Sequence, residues 1–380
     1  MIYLDNNSTT QCAPEAVAAM LSCFSTNYAN SASAHSMGRL AKTAVENARE
    51  ELAALLDCAP TELLFTSGAT ESNNLVIQGI KTVESRNQIV TSSIEHKSIL
   101  ESCVQAERAN VHVNYLPVDT CGRVSVETAD NIINDKTLLV SIHAANNEVG
   151  TIQPVQSLAK RAHQRGALFH CDATQALGKV PFSISEAGVD FASFSAHKIY
   201  GPKGIGLLFA RHGTVHKTLK PIHFGGGQEQ GLRPGTLNVA GIIGFAKAAT
   251  LALSRLAADQ LEIRRLRELF TNEVSTKQLP VLFNGCRDEG LPGTISLTIP
   301  GVPADMLISN MPDICISTGA ACTAGAISPS HVLLAMGMSR EDAECTVRIS
   351  IGRYNTEAEM LLAAACIKDT ALRLRMELGI

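Results

Sequence analysis

A strand-like run ends in Ser193-Phe194-Ser195-Ala196-His197-Lys198-Ile199-Tyr200, and the glycine-rich stretch Gly201-Pro202-Lys203-Gly204-Ile205-Gly206 follows it. Lys198 therefore stands at the mouth of a sheet, beside Ser195 and His197, which can hold an anion. A lysine so placed is either an ordinary turn cation or the amine that carries pyridoxal phosphate. The run His170-Cys171-Asp172-Ala173-Thr174-Gln175 ends another apolar stretch. Asp172 is a carboxylate at a strand's carboxyl end, where α/β proteins bind ligands. It could cap a helix, or pair with a cofactor ring nitrogen, keep it protonated and make the ring an electron sink. Gln175, three residues on, could hydrogen-bond the ring oxygen. In Phe65-Thr66-Ser67-Gly68-Ala69-Thr70-Glu71-Ser72-Asn73-Asn74, a strand, a glycine turn and a helix start make an anion site. Free N–H groups and the helix dipole there suit a phosphate. Ser-Gly turns are common, so this third run counts only in company.

The elements that must position these residues alternate. Strands are predicted at 63–66, 88–92, 111–118, 137–144, 167–171, 191–195 and 205–210, with helices at 69–79, 95–106 and 155–165 between them. Repetition of this kind, with strands that read as buried, predicts an α/β fold with a mostly parallel sheet covered by helices. Upstream lie a helix at 13–24 with Pro14 in its first turn, a loop at 27–38 and an amphipathic helix at 39–56. Residues 239–253 read as buried helix. Beyond about 256 the character changes to a charged helix at 257–273, short strands at 280–284, 294–299 and 346–351, and helices at 329–336 and 356–378. The expected division is a large lobe, 13–255, and a smaller α+β lobe built from 1–12 and 256–380.

Composition bounds the function. Of 380 residues 45% are hydrophobic and 18% charged, an ordinary globular balance that excludes a disordered chain. A net charge of −4 leaves no basic surplus for direct nucleic-acid binding. No signal peptide and no membrane span are expected. Eleven cysteines, an odd number, argue for a reducing cytoplasm rather than a disulfide framework, and without a CxxC pair no metal site is expected.

These motifs, in this order, resemble the class V, fold-type-I pyridoxal-phosphate enzymes, and among them the cysteine desulfurases of the NifS/IscS type. The resemblance spans nearly the whole chain. It adds Tyr3-Leu4-Asp5-Asn6-Asn7-Ser8-Thr9-Thr10, Glu95-His96-Lys97, Asn146-Asn147-Glu148-Val149-Gly150, Arg233-Pro234-Gly235-Thr236, the Cys322 loop and Arg348-Ile349-Ser350-Ile351-Gly352-Arg353 to the runs above. It implies a large domain with a mostly parallel seven-stranded sheet and a smaller α+β domain.

Residue by residue, the resemblance implies that Lys198 carries the cofactor and moves protons at the substrate Cα. Asp172 would pair with the ring nitrogen. His96 would stack on the ring and assist proton transfer. Asn147 and Gln175 would hydrogen-bond the cofactor or the bound amino acid. Ala69, Thr70, Ser195 and His197 would hold the cofactor at its phosphate end. Thr236 would reach a partner subunit's phosphate, which implies a homodimer. Arg353 would clamp the substrate carboxylate through two parallel N–H groups, since Arg348, five residues away, falls on the opposite face of its strand. Cys322, in the small and flexible stretch 317–329, would attack the sulfur of L-cysteine and become a persulfide, leaving L-alanine. Only the thiolate is nucleophilic, and His96 is a candidate for activating it.

Two departures from the family pattern stand out, and the second bears on the pathway. Asn30-Ser31 stands where the family commonly has Asn-Pro. The chain also ends soon after its last helix, whereas housekeeping iron–sulfur desulfurases usually carry a longer, scaffold-docking tail. That counts against the scaffold partnership of iron–sulfur cluster assembly and favours a dedicated role in nitrogenase maturation, tRNA thiolation or DNA phosphorothioate modification, each through a sulfur-acceptor protein. Rival readings are a selenocysteine lyase or aminotransferase on the same fold, and a catalytically silent scaffold.

Overall fold

In this computed structural model, which describes residues 1–82, 85–213, 215–286, 288–318 and 329–380, the alternating runs form a sheet of seven strands among the described residues. In spatial order these are Leu63–Thr66, Gly206–Ala210, Phe191–Ser195, Leu168–Asp172, Thr137–Ser141, Gln88–Ser92 and His112–Leu116. Gly206–Ala210 runs antiparallel to both its neighbours, and the other pairs are parallel. Central strands such as Thr137–Ser141 and Phe191–Ser195 are buried at every residue, as expected of a sheet covered by helices on both faces. The edge strand His112–Leu116 is the least buried.

Because the central strands are parallel, their carboxyl ends share one edge. Ser92, Ser141, Asp172 and Ser195 end there, so the segments carrying His96, His143, Gln175 and Lys198 leave the sheet side by side.

Side-chain caps set several helix starts. His35 accepts the Gly38 N–H at 3.1 Å, so its helix runs from Ser36 to Leu56, a turn earlier than expected. His96 caps Lys97–Arg108, which moves that start two residues later than expected. The helices Val126–Ile132, Ala304–Ser309 and Arg340–Glu344 were not anticipated; each is too short to show a helical period. No single helix among the described residues is long and apolar enough to cross a membrane, and Val239–Ser254 meets Leu256–Val274 at a bend of 71°.

A second core lies beyond that bend. Thr294–Thr298 pairs antiparallel with Leu282–Asn284 and Thr346–Ser350, and Leu256–Val274 packs on the last helix, Glu357–Leu378. The N-terminus joins this core: Ile2–Tyr3 pairs in parallel with Ile314–Cys315, and Ile2 and Leu4 pack with Phe270, Val347 and Met360. The chain then crosses to the large sheet, where the Thr10 N–H donates to the His197 carbonyl at 2.9 Å.

Candidate active site

A cavity of 720 Å³ opens where the strand ends meet the small core, and Ala69, Thr70, His96, Asn147, Asp172, Gln175, Ser195, His197 and Lys198 all line it. That size is within the usual range for a cofactor with its substrate.

Lys198 closes a short 3-10 turn, Ala196–Lys198, directly after the strand Phe191–Ser195. Its Nζ donates to the main-chain carbonyls of Asn7 at 2.6 Å and Ser8 at 2.7 Å. Burial and the nearby Arg348 lower its pKa to about 8, against the opposing pull of Asp172 and Asp5. An amine that gives up its proton near neutrality can act as nucleophile and base.

Asp172 ends the strand Leu168–Asp172 and is buried. Burial alone would raise its pKa. Hydrogen bonds from the Thr174 N–H at 3.0 Å and Asn73 Nδ2 at 2.7 Å outweigh it and hold the carboxyl below its ordinary value. The cavity therefore contains a buried carboxylate that stays ionised. His96 Nδ1 accepts the Ser98 N–H at 3.1 Å, which leaves the ring hydrogen on Nε2. Burial lowers its pKa, and the Asp172 charge offsets only part of that, so the ring is neutral and able to stack.

The other end of the cavity is shaped for an anion. The helix Ala69–Gly79 has no side-chain cap at Gly68, so its first N–H groups are not taken up by one. Gly68 and Gly206 approach so closely that a Cβ on Gly206 would lie 2.5 Å from Gly68 Cα. Lys203 and Gly204 complete that wall with Ser195 and His197. His197 Nδ1 lies 3.1 Å from Thr9 Oγ1, and burial with Lys198 and Lys203 lowers its pKa to about 4. A buried Thr174 hydroxyl on the wall has no hydrogen-bond partner among the described residues. An amine, an ionised carboxylate and an open helix N-terminus around one cavity fit pyridoxal phosphate: Lys198 for its aldehyde, Asp172 for its ring nitrogen, and Gly68 to Thr70 with Ser195 and His197 for its phosphate.

The structure separates the two arginines differently from expectation. Arg353 does not line the cavity. Its Nε lies 2.7 Å from Asp259 Oδ2, its N–H donates to Tyr200 Oη at 2.7 Å, and its guanidinium sits 4.2 Å above the Tyr200 ring. Arg348, in the strand Thr346–Ser350, lines the cavity instead. It reaches Asp5 Oδ1 at 2.7 Å and Ser8 Oγ at 2.6 Å, while its buried Nε has no partner among the described residues. The expectation that Arg353 clamps the substrate carboxylate is corrected on this placement: the two arginines do point differently, but the strand's inward face belongs to Arg348.

Thr236 is exposed and lines a separate cavity of 790 Å³ with Phe224, Arg233, Ser67 and Thr70. Ser67 and Thr70 belong to both cavities, so the two adjoin at the anion end. Cys322 lies outside the described residues. The segment before it is held at the cavity wall, where Ser317 pairs with Arg348 through both main-chain hydrogen bonds, at 2.6 and 3.2 Å. The segment after it is anchored by Ser330 Oγ, which donates to Glu148 Oε2 at 2.5 Å.

Sequence reasoning gave no role to Asn7, Ser8, His143 or Lys203. Asn7 and Ser8 serve Lys198 through main-chain carbonyls, which leave no signature in residue type. His143 was readable only as the end of a strand, yet its Nδ1 lies 3.0 Å from the buried Glu95 and it lines the cavity.

The geometry has counterparts. The model of the aminotransferase class-V family matches residues 2–362. The cysteine desulfurase IscS of Rickettsia bellii (strain OSU 85-389) is 40% identical over 377 residues, covering 98% of this chain and 92% of that one. Among solved structures, a NifS-like protein superposes with a TM-score of 0.91 at 36% identity, covering 99% of each chain. A structure described as SspA in complex with cysteine superposes with a TM-score of 0.82 at 33% identity, covering 94% of this chain and 100% of the other.

Proposed function

This chain belongs to the aminotransferase class-V family, and from that premise we propose that it is a cysteine desulfurase that uses pyridoxal phosphate to take sulfur from L-cysteine, releasing L-alanine and passing the sulfur to an acceptor protein. The observation that carries the reading is the meeting of Lys198, with a pKa near 8, and the buried, ionised Asp172 in one cavity. Bound there, the cofactor supplies an electron sink for the negative charge that develops at the substrate Cα.

The chain's own residues do the rest. Asp172 would pair with the ring nitrogen and keep it protonated. Lys198 takes the proton from the substrate Cα and later returns one. His96 would stack on the ring, and Gln175 and Asn147 would hydrogen-bond the cofactor or the bound amino acid. Ala69, Thr70, Ser195 and His197 fix the phosphate end. Arg348 holds the substrate carboxylate with the guanidinium edge left open at Nε, a role for which Arg353, off the cavity wall and paired with Asp259, is not placed. The Cys322 thiolate attacks the substrate Sγ. The Cβ–Sγ bond breaks, its electron pair stays with the three-carbon fragment that becomes alanine after protonation, and Cys322 is left as a persulfide.

The working unit we infer is a homodimer in which Thr236 reaches the partner's phosphate. The exposed Phe224, at 87% of its full exposure beside Thr236, supports a covered surface there. The two separate cores support a large lobe, 13–255, and a small lobe of 1–12 and 256–380. Free cysteines at each described position support a cytoplasmic setting.

The test is release of alanine and sulfide from L-cysteine, with a reductant present, by wild type and by Cys322→Ala. Equal amounts of both products from wild type, and loss of sulfide in a variant that keeps the cofactor's colour, are expected. No alanine from a visibly loaded protein would overturn the substrate assignment.

A further inference from the structure

Beside Lys198 lies a second amine that the reaction above leaves idle. After Asp172 the chain makes a helix-like turn, with Leu177 N–H donating to Ala173 at 3.1 Å and Val180 N–H to Ala176 at 3.0 Å. Gln175 and Lys179, four residues apart, therefore share a face. Lys179 Nζ donates to Gln175 Oε1 at 2.5 Å and to Asn7 Oδ1 at 3.1 Å. Gln175 Nε2 donates to the Asn7 carbonyl at 3.0 Å, the same oxygen that receives Lys198 Nζ at 2.6 Å. Lys179, Gln175 and Asn7 thus close a ring that Lys198 joins at the Asn7 carbonyl, and Asn7 Nδ2 ties that ring to Thr294 of the small core at 2.8 Å.

The surroundings leave Lys179 little alternative. Lys198 faces it from the strand-end turn and Arg348 from the strand Thr346–Ser350, and both charges act with burial to push its pKa well below the ordinary value. Among the described residues no carboxylate lies within ion-pair distance of it; Asp259, of the helix Leu256–Val274, shares a small side cavity with it but is taken by Arg353 and Arg255. The main chain is pinned as well, since Gln260 Nε2 donates to the Lys179 carbonyl at 2.8 Å. Lys179 Nζ donates to the amide and the Asn7 carbonyl can only accept, so Oε1 faces Lys179. That choice sends Nε2 to the other side. One of its hydrogens goes to Asn7, and the second remains for the cavity that Gln175 lines. A flipped amide would present oxygen there and repel the ring oxygen of a bound cofactor.

We propose that Lys179 is a positioning residue: it fixes the orientation of the Gln175 amide, so that an N–H rather than an oxygen meets the cofactor ring, and it holds Asn7 beneath Lys198. This rests on the reading that Gln175 contacts the cofactor, and the test separates the two. Apo full-length protein is titrated with pyridoxal phosphate, following the absorbance, for wild type, Lys179→Met, Gln175→Met and the double variant; kcat and KM for L-cysteine are measured on the loaded forms. Lys179→Met is expected to weaken cofactor binding about tenfold, the worth of one buried hydrogen bond, and to lower kcat more than it raises KM. The double variant is expected to bind no more weakly than Gln175→Met alone, because coupled residues are not additive. Additive losses, or unchanged binding in Lys179→Met beside weakened binding in Gln175→Met, would overturn the role of Lys179. Unchanged binding in Gln175→Met would overturn the Gln175 reading and this one with it. If Lys179→Met does not fold, Lys179→Gln enters the same cycle with the same outcomes.

Discussion

Arg348 Nη2 lies 2.7 Å from Asp5 Oδ1, so the N-terminal segment and the small core's strand jointly aim one guanidinium into the cavity. Arg348→Ala is expected to raise KM for L-cysteine by roughly ten- to a hundredfold, the loss of a charge-assisted hydrogen bond, with a smaller fall in kcat. Arg353→Ala is expected to act on stability instead, because it leaves the buried Asp259 with Arg255 alone, at 3.4 Å; the loss should stay below the roughly 3–5 kcal/mol of breaking a buried pair outright. Steady-state kinetics with thermal unfolding of both variants checks the contrast. A KM effect confined to Arg353→Ala would reverse the assignment.

Lys198 supplies a second prediction through its pKa. The folded value, about 8, lies below the ordinary 10.5, so the unfolded chain holds this proton more tightly than the folded apo protein. Stability is therefore penalised fully below pH 8, and the penalty fades as pH rises from 8 to 10.5. Apo Lys198→Met should gain melting temperature over apo wild type near neutrality, with the gap narrowing across that window. A gap independent of pH would mean that the amine is not held in its depressed state.

Much of this was legible in residue order, for a physical reason. Parallel strands buried on both faces read as short apolar runs, and the residues at or just past their ends, Asp172 and Lys198, must fall along one edge of the sheet. What stayed hidden depends on direction or on the main chain. Strict alternation separates Arg348 from Arg353 without saying which face looks into the cavity, and the strand ends at Ser350, before Arg353 is reached. The partner that holds Arg353, Asp259, comes from a different helix and leaves no local trace. Asn7 receives Lys198 through a carbonyl that every residue type possesses.

On the proposed homodimer, the adjoining cavities would make cofactor retention depend on assembly. Thr236 is exposed on the lone chain, beside Phe224 and next to the anion end bounded by Ser67 and Thr70. Phe224→Asp should shift the protein from dimer to monomer in analytical ultracentrifugation and weaken cofactor binding in parallel. Thr236→Val should weaken binding several-fold, on the scale of one hydrogen bond, while leaving the dimer intact. A monomeric Phe224→Asp that binds the cofactor as tightly as wild type would remove the partner from the site.

His143 offers a pH signature of the opposite sign to that of Lys198. Burial would lower its pKa, but the Glu95 carboxylate, 3.0 Å from Nδ1, outweighs this and raises it above 6.5. The folded state thus binds this proton more tightly than the unfolded chain. The stabilisation is fully present below about pH 6.5 and is lost as pH rises through the folded value. Glu95 also accepts the His143 N–H at 3.0 Å and Ser92 Oγ–H at 2.6 Å, so the carboxylate keeps donors when the ring is replaced. His143→Gln, which can hydrogen-bond but not take up the charge, should therefore cost more melting temperature at pH 5.5 than at pH 8. Melting curves of the two apo proteins across that range give the comparison, and an equal loss at both ends would mean that His143 is held neutral.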